Sequence, residues 1–352
     1  MYLGICRIEV GVQKRRLLEL AVFERILVVD FSALSGTLLH MKQKNKKMAP
    51  VNGKTPELRE DMSIRDAAIA SFAYYYRNML LNEKGTLEDR DPEFLHYLRV
   101  ASKRLRVALA VFGNIIDEKE SAYFKENLKS LAPVLGKSRD TDVYLEFLDE
   151  KAARLMTHED QGDFHKYRNF FSRRRKLRKG AVLAKLASAE HRKFKRKFSS
   201  FIAKGLTSES VEGNAKVIET AKACMDKCID KMVKCSKELR NDSTDPEMHE
   251  FRIRCRKFRY ATEIFINLPG VPAEALAEKL IALQRVLGTH QDAVTAGAKL
   301  DSFIRTHPAL AKSKALGKIR NLQDETVRKS REKFFSILRD SMKDITSFRG
   351  NS

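Results

Sequence analysis

Several things are scarce in this chain of 352 residues, which has no tryptophan, five cysteines and eight prolines. No two cysteines have the C-x-x-C spacing common at zinc sites. Cys224, Cys228 and Cys235 fall instead on one helical stripe with Val217 and Ala221, as expected of reduced thiols packed in a core as small apolar groups. No apolar run reaches the roughly 18 residues of a membrane-spanning helix. Glu9, Glu19, Glu24 and Asp30 interrupt the early apolar stretches, and no small-residue cleavage site follows, so no signal peptide is expected. A Gly-x-x-x-x-Gly-Lys-Ser/Thr phosphate loop is missing, and no serine has a recognisable nucleophile context. His158-Glu159-Asp160 is like a fragment of a metal-dependent phosphohydrolase motif, without a second His/Asp set at suitable spacing. No catalytic residue, metal or cofactor is therefore implied, and the chain is not expected to be an enzyme.

Acidic residues are also in short supply. There are 46 of them against 68 lysines and arginines, a formal net charge of +22. Such a surplus repels itself and destabilises a compact state. It points either to a solvated basic surface or to a polyanionic partner: nucleic acid, an anionic membrane or a phosphate polymer. Much of it sits between Lys166 and Lys204, where 15 basic residues meet one acid, Glu190. Blocks such as Arg173-Arg174-Arg175-Lys176 fit a solvated face as well as a polyanion contact.

Residues 1–47 read as an N-terminal extension of uncertain structure, with Ile26 to Val29 a candidate strand and Met41 or Met48 a candidate start of translation. A linker with Pro50, Gly53 and Pro56 covers 48–61. From Ser63 the pattern is helical, and no strand pattern is visible after residue 48. Ile64, Ala68, Phe72, Tyr75 and Met79 form a 3.6-period stripe that Asn82 to Gly85 should end. Asp91-Pro92-Glu93 and Asp245-Pro246-Glu247 each open a helix with a capping Asp, a Pro and a first-turn acid. Long helices are expected from about Lys119 to Leu155, Glu159 to Lys204 with either a break or a close approach at Gly180, Ala215 to Leu239, Ala273 to Arg305, and Pro308 to Lys343. Residues 344–352 make a tail.

The most informative stretch is His96 to Arg106, in which His96, Arg99, Lys103 and Arg106 recur at i, i+3, i+7 and i+10. His249, Arg252, Arg256 and Arg259 repeat the spacing. At about 100° per residue these positions share one side of a helix. The opposite sides are apolar: Leu98, Leu105, Leu109 and Phe112, then Phe251, Phe258, Ala261 and Phe265. The copies are offset by 153 residues, and Leu135, Gly136 and Asp140 match Leu287, Gly288 and Asp292 at an offset of 152. The expected fold is all-α: a domain at 62–343 made of two four-helix bundles, 62–205 and 213–343, related by a pseudo-two-fold axis. Their apolar faces should pack into separate bundles, turning the cationic faces toward a shared basic cavity or groove.

His96-x-x-Arg99-Val100 with Lys103-Arg104-Leu105-Arg106, then Leu135-Gly136-x-x-Arg139-Asp140-x-Asp142-Val143, then His249-x-x-Arg252-Ile253-x-x-Arg256-Lys257-x-Arg259-Tyr260, and last Leu287-Gly288-x-x-x-Asp292, together resemble a CHAD domain, the conserved histidine α-helical domain. The resemblance covers roughly residues 60 to 343. It implies an all-helical pseudosymmetric fold and binding of inorganic polyphosphate in a basic central cavity lined by His96, Arg99, Lys103, Arg106, His249, Arg252, Arg256 and Arg259. It also implies association with polyphosphate granules, hence a cytoplasmic location. The Glu-x-Glu-x-Lys motif of the CYTH enzyme domain that many relatives carry is absent, so that activity is not implied.

A polyphosphate chain offers oxygens and no base edges, which suits a row of arginine forks and mobile lysine charges. Binding should weaken with salt as counterions are released, and should tighten at mildly acidic pH as bound phosphate favours imidazolium at His96 and His249. Asp140 and Asp292 are expected to orient the cationic helices, and Gly136 and Gly288 to mark close helix–helix approach. Asp140 and Asp142 are two residues apart and do not share a face, which speaks against a carboxylate pair. Two other functions remain open. One is nucleic-acid binding through the Lys166–Lys204 region, without a zinc finger, basic zipper or stacking motif; the other is phosphohydrolysis of polyphosphate.

Overall fold

The computed structural model describes residues 49–349 apart from 54, 89 and 206–214. The candidate strand, the candidate start sites and most of the turn before the second half lie outside the described residues. Among those described there are nine α-helices and no named strand: α1 (Ile64–Leu87), α2 (Pro92–Val111), α3 (Glu118–Phe147), α4 (Gln161–Leu186), α5 (Ala189–Lys204), α6 (Val217–Glu238), α7 (Asp245–Ile264), α8 (Ala273–Thr306) and α9 (Lys314–Ser347).

Local chemistry accounts for most of the boundaries. Ser63 caps α1 by accepting from the Asp66 amide, and Asp91 caps α2 by accepting from Glu93, with Pro92 in the first turn. The second motif helix differs from expectation. Its cap is Thr244, in a capping box with Glu247, and Asp245 is the first helical residue. The Asp245 carboxylate is taken instead by Arg331 at 2.6 Å and His290 at 3.0 Å. The stretch expected to run from Glu159 to Lys204 breaks at Ala187–Ser188, where Ser188 accepts from the His191 amide, and Gly180 stays inside α4. Nor does α1 end at Asn82–Gly85. Gly85 lies within it, where a Cβ would stand 2.1 Å from the Phe94 ring, so glycine lets α2 approach.

The helices pack in two similar runs: α1 on α2, α2 on α3 and α3 on α4, then α6 on α7, α7 on α8 and α8 on α9, with α2 against α7 joining them. The apolar core does not divide along these runs as expected. Phe72, Leu98, Leu105 and Phe112 belong to the same buried cluster as Phe251, Phe258 and Phe265. The Phe112 and Phe265 rings meet edge-on across the halves at 6.0 Å. A second cluster also draws on both, with Tyr144 and Phe171 from α3 and α4 against Leu300, Phe303 and Leu316 from α8 and α9. Phe112 and Phe265, at the ends of α2 and α7, are buried against each other, so each half contributes to the other's core.

The stretch before α1 is tied down. Val51 exchanges two hydrogen bonds with the Asn82 side chain, at 3.0 and 2.9 Å. The Gly53 carbonyl accepts from Arg104 and the Pro56 carbonyl from Asn267, while Leu58 is buried. It therefore straps the first half to the loop after α7.

Candidate functional site

Burying the apolar faces of α2 and α7 leaves their basic faces half-buried. His96, Arg99, Lys103, Arg106, His249, Arg252, Arg256 and Arg259 all have this intermediate exposure. Because α2 packs on α7, the two rows meet. Burial, and then the charges of Arg99, Arg256 and Arg252, push the Lys103 ammonium down to about 6, opposed by Asp140. Burial lowers Arg256 too, with Arg252, Arg99 and Arg259 acting in the same sense. His96 is held low by burial and by Arg139, Arg99 and Lys103, against the pull of Glu93. Cations from both halves thus crowd a partly desolvated region in which their repulsion is weakly screened.

The far ends of the rows are less alike. Arg259 leans on Glu263 at 3.5 Å and on the Tyr260 ring. Glu263 in turn pairs at 2.9 Å with Arg104, and both side chains are nearly sealed from solvent, at 5% and 6% exposure. This cross-half pair was not anticipated, because Arg104 lies off the repeating row. Arg106 makes no ion pair among the described residues.

Asp140 lies 3.6 Å from Arg99, and Asp292 has Arg252, Asp140, Lys299 and Arg99 for electrostatic neighbours. Burial and the Asp140 charge raise the Asp292 carboxyl. Asp142 faces elsewhere and pairs with Arg175 at 2.6 Å. Gly136 and Gly288 do not mark a tight helix–helix crossing. Within 4 Å of a Cβ built there lie only the guanidiniums of Arg99 and Arg252, each at 3.8 Å. At 3.8 Å a Cβ would make only ordinary contact with each arginine, so packing does not require glycine at either position.

Three basic residues missed at the sequence level join this region. Lys299 donates to the Asp140 carbonyl at 2.8 Å, and burial lowers its ammonium to about 8. Arg178 donates to the Lys137 carbonyl at 2.9 Å and to the Thr141 hydroxyl. Arg139 pairs with Glu93 at 2.8 Å. Arg139 carried a signal as part of the Arg139-Asp140 motif and Arg178 as part of the Lys166–Lys204 basic region; Lys299 arrives through packing alone. Ten buried side-chain N or O atoms among the described residues lack a hydrogen-bond partner. Five of them belong here: His96 Nδ1, Arg99 Nε, Arg139 Nε, His249 Nδ1 and Arg259 Nε. Unpartnered polar atoms are costly when buried; oxygen acceptors entering the region would satisfy the arginine Nε–H groups, and the histidine nitrogens once the rings are protonated.

Other constellations have structural duties. Asp160 of His158-Glu159-Asp160 accepts from Thr157 and from Lys318 at 2.6 Å. Ser330, His290 and Asp245 form a row at 3.2 and 3.0 Å, but the buried Ser330 hydroxyl donates to the Thr326 carbonyl, and the row anchors α9 to the start of α7. Among the described residues no group of three His, Cys, Asp or Glu is placed to hold a metal ion. Cys224, Cys228, Cys235 and Cys255 are free thiols, the last two buried. No described helix is long and apolar enough to cross a membrane.

The family model of the CHAD domain matches residues 70–301. The crystal structure of the CHAD domain from the plant Ricinus communis superposes with a TM-score of 0.63 at 22% identity, covering 86% of this chain and 96% of that one. PptA from Streptomyces chartreusis superposes with a TM-score of 0.59 at 19% identity, covering 79% of this chain and all of that one. At such identities the likeness is one of fold. No curated protein matches.

Proposed function

The chain belongs to the CHAD family, and from that premise we propose that it binds inorganic polyphosphate, without catalysis, along the facing basic rows of α2 and α7. The observation that carries this reading is the crowding of Lys103, Arg99, Arg252 and Arg256 from two helices into one half-buried region. A protein does not gain stability by gathering like charges where water is scarce. A chain of phosphates relieves that repulsion and supplies acceptors to the orphaned donors. Arginine forks hold oxygens in pairs, and Lys103 follows the chain as a point charge. Asp140 and Asp292 temper the repulsion in the empty protein and yield their arginines to phosphate. A cytoplasmic role at polyphosphate granules fits a protein whose site reads backbone charge alone.

The test is competition at matched charge and salt. Immobilised protein is challenged with long-chain polyphosphate, single-stranded DNA and double-stranded DNA. Polyphosphate should win, and alanine at Arg99, Arg106, Arg252 and Arg259 should abolish the preference. Preferred nucleic-acid binding that survives those substitutions would contradict the reading. Labelled polyphosphate incubated with the protein and a divalent metal ion should keep its length; shortening would mean a phosphohydrolase.

A further inference from the structure

Helix α4 carries a second basic feature that the α2–α7 rows do not use. Arg173 and Lys176 are exposed and form no ion pair among the described residues, and only Arg175 of this block is paired, with Asp142. Arg174 lies over the Phe170 ring, 4.3 Å from its centroid. Arg174 and Arg178 stand one turn apart on the same side, a like-charge spacing that costs helix stability, and burial, then the Arg174 charge, lower the Arg178 guanidinium.

This feature is continuous with the central region through one node. The carboxylate of Asp140 faces Arg99 at 3.6 Å, while its carbonyl accepts from Lys299 and its charge is felt by both Lys299 and Arg178. Lys299 and Arg178 also repel each other across it. Cations therefore follow one another from Arg99 past Asp140 to Lys299 and Arg178, and then one turn along α4 to Arg174, with the exposed Arg173 next round the helix, donating to the Asn169 carbonyl at 3.4 Å.

We propose that the α4 arginines form an outer track, on which a polyphosphate chain too long for the α2–α7 rows continues past Lys299 and Arg178 over Arg174 and Arg173. This rests on the polyphosphate reading above and adds to it a chain-length preference built into the fold. Short oligophosphates engage the central rows alone; long chains gain the extra counterion release of the track. Leu177, 74% exposed beside these arginines, contributes nothing to a ligand that has no apolar surface.

The test compares tripolyphosphate with long-chain polyphosphate on the full-length wild type and on the double variant R173S/R174S, both checked for unchanged thermal unfolding. Wild-type binding of polyphosphate tests the underlying reading, and the variant tests the track. The variant should lose about tenfold in affinity for the long chain and keep its affinity for tripolyphosphate. Its log affinity against log salt for the long chain should be shallower by roughly 1.4, two cations at about 0.7 each as for single strands. Equal losses for both ligands, or no loss for either, would overturn the track. So would tighter binding of single-stranded DNA than of polyphosphate that is lost in R173S/R174S, or binding to phosphatidylserine vesicles that is lost in Leu177→Ser, since each assigns the face to another partner.

Discussion

Lys103 is the residue at which the cost and the use of the site meet. Arg99 faces it from its own helix, Arg252 and Arg256 from α7, and Asp140 from α3. Its ammonium titrates near 6 in the folded protein against 10.5 in an exposed lysine. Between those values the unfolded chain carries a proton that the folded protein does not, so this group's contribution to stability rises with pH across that window. Lys103→Met removes the conflict while keeping a long apolar stem. At neutral pH it should raise Tm by a few degrees and weaken polyphosphate binding about tenfold; calorimetry and titration read the two effects. A fall in both would mean that Lys103 is simply a packing residue. Bound phosphate favours the charged forms of Lys103 and His96, both held low in the empty protein by burial and cationic neighbours. Affinity should therefore increase from pH 8 to pH 6 with net proton uptake, seen as a dependence of the binding heat on buffer ionisation. Flat affinity over that range would contradict it.

At the scale of helices, the sequence reading succeeds where signals are local and fails where partners are distant. The Asp91-Pro92-Glu93 cap and the apolar stripes of α2 and α7 depend on neighbours within one turn and were legible. In the second copy the cap moves to Thr244, because Asp245 is claimed by Arg331 and His290, more than forty residues away. The break at Ala187–Ser188 was missed because no Gly or Pro marks it, although Ser188 was a fair cap. The Arg104–Glu263 pair could not be read either, since nothing in the repeat connects them. It is the principal polar tie between α2 and α7. Glu263→Ala leaves the buried Arg104 without a carboxylate and with the Gly53 carbonyl as its close acceptor, and should cost about 3–5 kcal/mol in urea unfolding. The apolar double variant R104M/E263L should recover much of that loss, because desolvating the pair cost nearly as much as it returned. A loss below about 1 kcal/mol for Glu263→Ala would show that solvent already reaches the pair.

For the molecule as a whole, the all-α fold is the one expected from the sequence, and the eight residues of the two basic rows come out half-buried on two packed helices. The shared core was not legible. Composition patterns say that a face is apolar, not which half will cover it, and Phe112 against Phe265 is a contact between positions 153 apart. That sharing bears on the proposed function: with one core spanning both halves, a polyphosphate chain bound as proposed would meet both rows. Titration of long-chain polyphosphate into wild type, R99A/R106A and R252A/R259A tests this most directly. The account predicts that either pair of substitutions lowers affinity more than about tenfold, close to 1.4 kcal/mol, with one composite site in the wild type. Two independent sites of equal affinity, each variant keeping one intact with half the wild-type stoichiometry, would contradict it.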